Sequence, residues 1–129
     1  MKISAAGMKA QSTRVRVISE NMANADSLAN TPGGEPYRRK TITFENALNR
    51  ELGIKTVQVK DIGEDQGQFG LRFDPTHPAA NGDGYVQTTN VNSLIEMTDM
   101  RQAQRSYEAN LNAITISRGM LQRTIDLLR

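Results

Sequence analysis

The chain has no cysteine, no tryptophan and a single histidine, and its 129 residues include only three tyrosines and three phenylalanines. Without cysteine it can hold neither a disulfide nor a thiolate metal site. A cysteine-free chain also suits passage through an oxidising compartment, where nothing can mispair. The one imidazole, His77, sits between Thr76 and Pro78 in a turn-rich stretch and is read as an exposed loop residue. Neither a histidine metal site nor a nucleophilic triad has its parts. The expectation is no metal, no cofactor, no catalytic residue and no enzyme. Charged residues interrupt every apolar run, so the sequence reads as that of no integral membrane protein. The stretch "ISAAGMKAQSTRVR" after Lys2 lacks the apolar centre of a cleaved signal peptide.

Core-forming residues are scarce too, at 37% hydrophobic. So short a chain buries a modest share of its surface, and a low apolar content leaves it marginal alone. Stabilisation against other subunits is expected. Sixteen basic and fourteen acidic residues nearly cancel, whereas a nucleic-acid binder concentrates its basic charge on one face. Arg38, Arg39 and Lys40 form the only basic run, which reads more readily as a turn than as a nucleic-acid patch. Asp61, Glu64 and Asp65 lie among glycines with nothing to exclude water, so they read as solvated acids. Gly33-Gly34 follows no strand and precedes no helix pattern, which excludes a phosphate cradle.

What is present divides into three parts. All four prolines fall between Pro32 and Pro78, and all six methionines lie outside that interval. In the first part Ile3, Ala6, Ala10, Thr13, Val17, Glu20 and Asn24 recur at the 3,4 spacing of a helical seam. Met8, Val15, Ile18, Met22 and Ala25 run beside it. In the last part the pattern predicts a helix from about Val91, with Ser93 and Glu96 as a capping box. Its seam runs through Met100, Ala103, Tyr107, Asn110, Ile114, Ser117, Leu121, Thr124 and Leu128, widened by Leu94, Met97, Leu111 and Ile125. Polar Asn110, Ser117 and Thr124 on that seam argue against a strong zipper and for close packing with several neighbours. Between the helices, "TITF", "IKTVQVKDI", "QFGLRF" and "GYVQTT" read as short strands. Asn81-Gly82 and Asp83-Gly84 signal a tight turn. The reading is α+β: a helix within residues 1–30, a loop and small β segment over 31–90, and a long helix over 91–129.

Specific stretches carry a resemblance. "SENMANADS" followed by "TPGGEPYRRK" resembles the signature of the bacterial flagellar basal-body rod protein family. The longer "ADSLANTPGGEPYRRK" form is similar to its proximal-rod branch. "DPTHPAANGDGYVQTTNVN" and "EMTDMRQAQRSYEANLNAI" resemble the segments leading into and along the last helix of that branch. The resemblance implies terminal helices packed as a coiled-coil-like D0 element of an inner core, around a β-rich outer layer. It implies an assembly seam of Ile3, Ala6, Ala10, Val17, Asn21 and Asn24 on the first helix. On the last helix the seam is Met100, Tyr107, Leu111, Ile114, Leu121, Ile125 and Leu128. It implies a hinge between layers at Asn24, Asp26, Thr31, Pro32, Gly33, Gly34, Pro36, Tyr37 and Arg38, with the basic run as inter-subunit contacts. The implied function is structural: a segment of the hollow drive shaft that carries torque across the periplasm. The implied partners are copies of itself, FlgB-, FlgF- and FlgG-type rod proteins, the rod-base adaptor and the flagellar type III export apparatus. Another rod or hook-family subunit, or a soluble coiled-coil adaptor or weak nucleic-acid binder, remain as alternatives.

Overall fold

The computed structural model describes residues 1–49 and 53–129. The elements run α1 (Lys2–Ala23), β1 (Lys40–Asn49), β2 (Ile54–Glu64), β3 (Gly70–Phe73), β4 (Tyr85–Thr88) and α2 (Ser93–Leu127). The fold is α+β, two long helices with a β-rich middle.

The helices lie antiparallel: Gly7 faces Asn110, Arg14 Nη2 donates to Gln102 Oε1 at 3.0 Å, and Asn21 meets Glu96. α1 is the central element. Ala6, Ala10 and Thr13 turn toward Thr56–Val59 of β2, while residues a third of a turn away contact α2. Its buried residues, Gly7, Ala10, Val17, Ile18 and Asn21, are small or branched, which lets a helix and a strand approach it from two sides. β1 and β2 are long, antiparallel strands rather than the short pieces the sequence predicts. The register shifts between Thr43 and Phe44, leaving Lys60 as the extra residue of a bulge. β3 and β4 form a separate ribbon, and Val86 from that ribbon is buried. The Asn81–Gly84 turn closes it, with the Asn81 side chain accepting from the Asp83 and Tyr85 N–H groups.

The expected capping box is corrected. The cap of α2 is Asn92, whose side chain accepts from Leu94 N and Ile95 N; Ser93 is already helical, and Glu96 is turned into the core instead. Asn92→Ala should therefore cost about 1 kcal/mol, the usual worth of such a cap. Ser93→Ala should cost less than about 0.5 kcal/mol; urea titration of both variants checks this.

Gly7 was not singled out by the sequence pattern, yet it sets how closely the helices pack. A Cβ there would lie 2.8 Å from Asn110 Nδ2, inside any real contact. Alanine is intrinsically better in a helix by about 1 kcal/mol, so the sign of Gly7→Ala depends on that neighbour. The expected result is a loss of stability in the natural background. In an Asn110→Ala background, where the obstruction is gone, the same change should stabilise. Equal effects in the two backgrounds would refute this reading.

Candidate assembly surface

The segment between α1 and β1 is anchored by a buried polar cluster. Asn21 and Glu96, 1% and 0% exposed, face each other between the end of α1 and the start of α2. Asn21 Oδ1 accepts from Lys40 N at 2.9 Å and Tyr37 Oη at 2.7 Å. Its Nδ2 donates to Lys40 O at 2.9 Å and points to Glu96 Oε2 at 3.5 Å. One amide thus satisfies both backbone groups of Lys40, as a neighbouring strand would. Arg39 donates through Nε to Glu96 Oε1, and its remaining nitrogens lie 3.5 Å from Asp65 and 3.7 Å from Asp99. The Glu96 hydrogen bond, with the surrounding carboxylates, raises the Arg39 pKa further. Burial pushes the Tyr37 phenol up.

The same short segment is held on its other side. Asn90 Oδ1 accepts from Arg39 N at 2.7 Å, and Asn90 Nδ2 donates to Asp65 O at 3.0 Å. Arg38 donates to Asp65 O and Gly67 O and stacks over the Phe69 ring at 4.3 Å. Lys40 Nζ reaches Glu20 Oε2 at 2.9 Å, which holds the Glu20 carboxyl low and the Lys40 amine high. A lowered carboxyl stabilises above the unfolded value of about 4.3 and loses that contribution as pH falls. For so exposed a pair the contribution is small.

Arg38, Arg39 and Lys40 are occupied by contacts within the chain, because burying Glu96 and the Asp65 carbonyl requires donors at that place. Asn21, Ala10 and Val17, expected on an assembly seam, are likewise buried inside the chain against β1, β2 and α2. Asn24 is the helix C-cap, its Nδ2 donating to Glu20 O and its Oδ1 accepting from Ser27 Oγ. Asp26 is exposed. Thr31–Gly34 is a turn closed by Gly34 N donating to Thr31 O at 3.1 Å. Pro32 is its second residue and Gly33, at φ 81°, its third, the geometry of a type II turn. Pro36 is buried behind it.

The remaining seam residues are at the surface. Ile3 is 55% exposed, and Tyr107 and Leu111 are exposed beside α1. Ala6, Met100 and Ile114 are half-buried. Leu121, Ile125 and Leu128 lie where α2 has passed the first residue of α1, together with exposed Ile116, Met120 and Leu127. These apolar side chains fill about half of the circumference of the helix end, with Arg118, Gln122 and Asp126 on the other half; an apolar face of that width needs cover, and among the described residues nothing covers it. Among the described residues no helix is long and apolar enough to cross a membrane. The sequence pattern missed the Arg39–Glu96–Asn21 cluster. Its one signal was that Glu96 begins the seven-residue series 96, 103, 110, 117 on the seam facing α1.

A well-anchored joint beside an uncovered helix is the form of an assembly subunit. The family model for the C-terminal part of flagellar basal body rod FlgEFG proteins matches residues 83–127, which places the chain among flagellar rod proteins. The flagellar basal-body rod protein FlgC of Agrobacterium fabrum is 52% identical over 99% of this chain and 92% of its own length. The FlgC proteins of Bacillus subtilis and Escherichia coli O157:H7 are 39% and 37% identical, each over at least 97% of this chain and at least 92% of their own lengths. The chain belongs to the flagellar basal-body rod protein FlgC family and is a structural subunit of the basal-body rod.

Proposed function

We propose that the chain builds the proximal part of the rod, a hollow shaft that passes motor torque across the periplasm, and that it performs no catalysis. The observation that carries this is the end of α2, where six large apolar side chains stand exposed on a helix that continues past α1, its one partner element among the described residues. Burial of such surface contributes about 25 cal/mol per Å², less the entropy of ordering the segment. The fitting neighbours are other copies, rod proteins of the FlgB, FlgF and FlgG types and the rod-base adaptor. A small core suits export through the flagellar type III apparatus in an unfolded state. The polar cluster serves here as the joint: Thr31–Pro36 turns the chain from the helical layer to the β layer, and Arg39 with Glu96 stiffens it.

A tagged chain expressed in cells lacking the native gene should restore swimming and co-purify with basal bodies, with density at the base of the rod. Swimming without the gene, or absence of the tagged chain from basal bodies, would overturn the reading. Density at the hook end of the rod would favour a distal subunit. The nucleic-acid alternative loses its basis, since Arg38, Arg39 and Lys40 are engaged internally. In the isolated chain, amide exchange should be fast from about Ile116 onward and slow at Val17–Asn21 and Glu96–Ala103. Assembly should slow the fast group; slow exchange at Leu121 in the monomer would count against the proposal.

A further inference from the structure

The turn between β3 and β4 holds a reactive pair of residues. Asn81 is the one asparagine in the chain followed by glycine, and both Asn81 and Gly82 are exposed. The turn fixes the Asn81 backbone, whose N–H donates to Tyr85 O at 2.9 Å and whose carbonyl accepts from Gly84 N at 3.0 Å. It also fixes the side-chain carbonyl: Oδ1 accepts from Asp83 N at 2.9 Å and from Tyr85 N at 3.0 Å. Two donors on one amide oxygen draw electron density from Cγ and stabilise negative charge that develops on that oxygen. Among the described residues the Gly82 N–H and the Asn81 Nδ2 group have no hydrogen-bond partner, so a nucleophile and a leaving group are both unheld. The neighbouring Asp83-Gly84 pair differs on that point, because its glycine nitrogen is tied to Asn81 O. Asn21, Asn24, Asn90 and Asn110 differ as well, since each donates through Nδ2 to a backbone carbonyl.

We propose that Asn81 is a site of spontaneous modification, at which the Gly82 backbone nitrogen attacks the Asn81 side chain and water completes its conversion to an aspartyl residue. A hydroxide or buffer base takes the Gly82 N–H proton, and the nitrogen forms a bond to Cγ. The oxygen of the tetrahedral intermediate is held by the Asp83 and Tyr85 N–H groups. As its electrons return, the Cγ–Nδ2 bond breaks, and the departing nitrogen takes a proton from the conjugate acid and leaves as ammonia. The product is a cyclic succinimide. Water opens it at Cγ to give an ordinary aspartate, or at the backbone carbonyl carbon of residue 81 to give an isoaspartate. The two products act oppositely on the turn. Aspartate keeps an acceptor oxygen for the Asp83 and Tyr85 N–H groups. Isoaspartate adds a methylene to the main chain, which separates residue 81 from its Gly84 and Tyr85 partners and loosens the end of the ribbon. The reading is independent of the rod assignment.

Ageing the purified full chain in mildly alkaline buffer made with heavy-oxygen water tests this by peptide mass spectrometry. Asn81 should be replaced by an acid carrying one heavy oxygen, with aspartate and isoaspartate both found at that position. The other asparagines and Asp83 should react at least about tenfold more slowly, a difference of ~1.4 kcal/mol in the barrier. Gly82→Ala should slow the reaction of Asn81 by about the same factor, because a methyl group then stands beside the attacking nitrogen. A Cβ at Gly82 meets nothing within 4 Å, so this variant keeps the fold, which its circular dichroism checks. The label at Asn81 should also appear faster as pH rises, since the attacking nitrogen must lose its proton. Three results would each overturn the proposal: Asn81 intact in the folded chain while it reacts in urea, an equal rate in Gly82→Ala, or label at Asp83 ahead of Asn81.

Discussion

Arg39→Ala is expected to lower the stability of the chain at neutral pH by about 3–5 kcal/mol, the usual cost of leaving one partner of a buried ion pair alone. That is a large part of the 5–15 kcal/mol typical of a folded domain. Glu96 is 0% exposed, and without Arg39 its remaining polar neighbour is Asn21 Nδ2 at 3.5 Å. The lone carboxylate would be left in the core without its partner, a far larger cost than burying a neutral group. Urea unfolding of both proteins at neutral pH checks this, and a difference under about 1 kcal/mol would refute it. Arg39→Ala/Glu96→Gln should return most of the loss, because a neutral amide tolerates burial better. Arg39→Met/Glu96→Leu should be close to neutral, since replacing both ions by apolar groups removes the desolvation cost along with the attraction.

The parts of this fold that were legible in the sequence are those set by local rules. Helical periodicity located α1 and α2 to within a few residues, proline and glycine bounded the middle, and four alternating stretches correspond to the four strands. The type II turn at Thr31–Gly34 follows from Pro32 and Gly33 alone. What was not legible depends on residues far apart in the chain. Glu96 in the first turn of a helix reads as a cap, and only the arrival of Arg39, 57 residues earlier, makes it a core residue. Asn21 reads as a weak seam position because nothing in sequence shows that Lys40 offers it two backbone groups. For the same reason Ala10 and Val17 were expected at an interface between copies. Periodicity identifies a buried face, and it does not say whether the same chain or another one buries it.

That distinction gives the second large effect. Leu121 is 57% exposed in the chain and lies past the N-terminal end of α1. Leu121→Asp should change the stability of the isolated protein by less than about 0.5 kcal/mol, as for surface substitutions generally. In the assembly the same change removes a leucine from a contact, worth about 1.5–3 kcal/mol, and also buries an unpaired charge. A loss of about 3 kcal/mol per contact weakens each association step more than a hundredfold. It recurs at every copy, so motility and incorporation into basal bodies should be abolished while the protein stays folded and exportable. Ala103→Asp provides the contrast. Ala103 is 0% exposed against α1, so a charge there should unfold the chain before any question of assembly arises. Gln122→Asp, one residue from Leu121 but already polar and exposed, should leave swimming nearly intact. If Leu121→Asp cells swim normally, the end of α2 is not an assembly contact, and the uncovered helix would need another explanation.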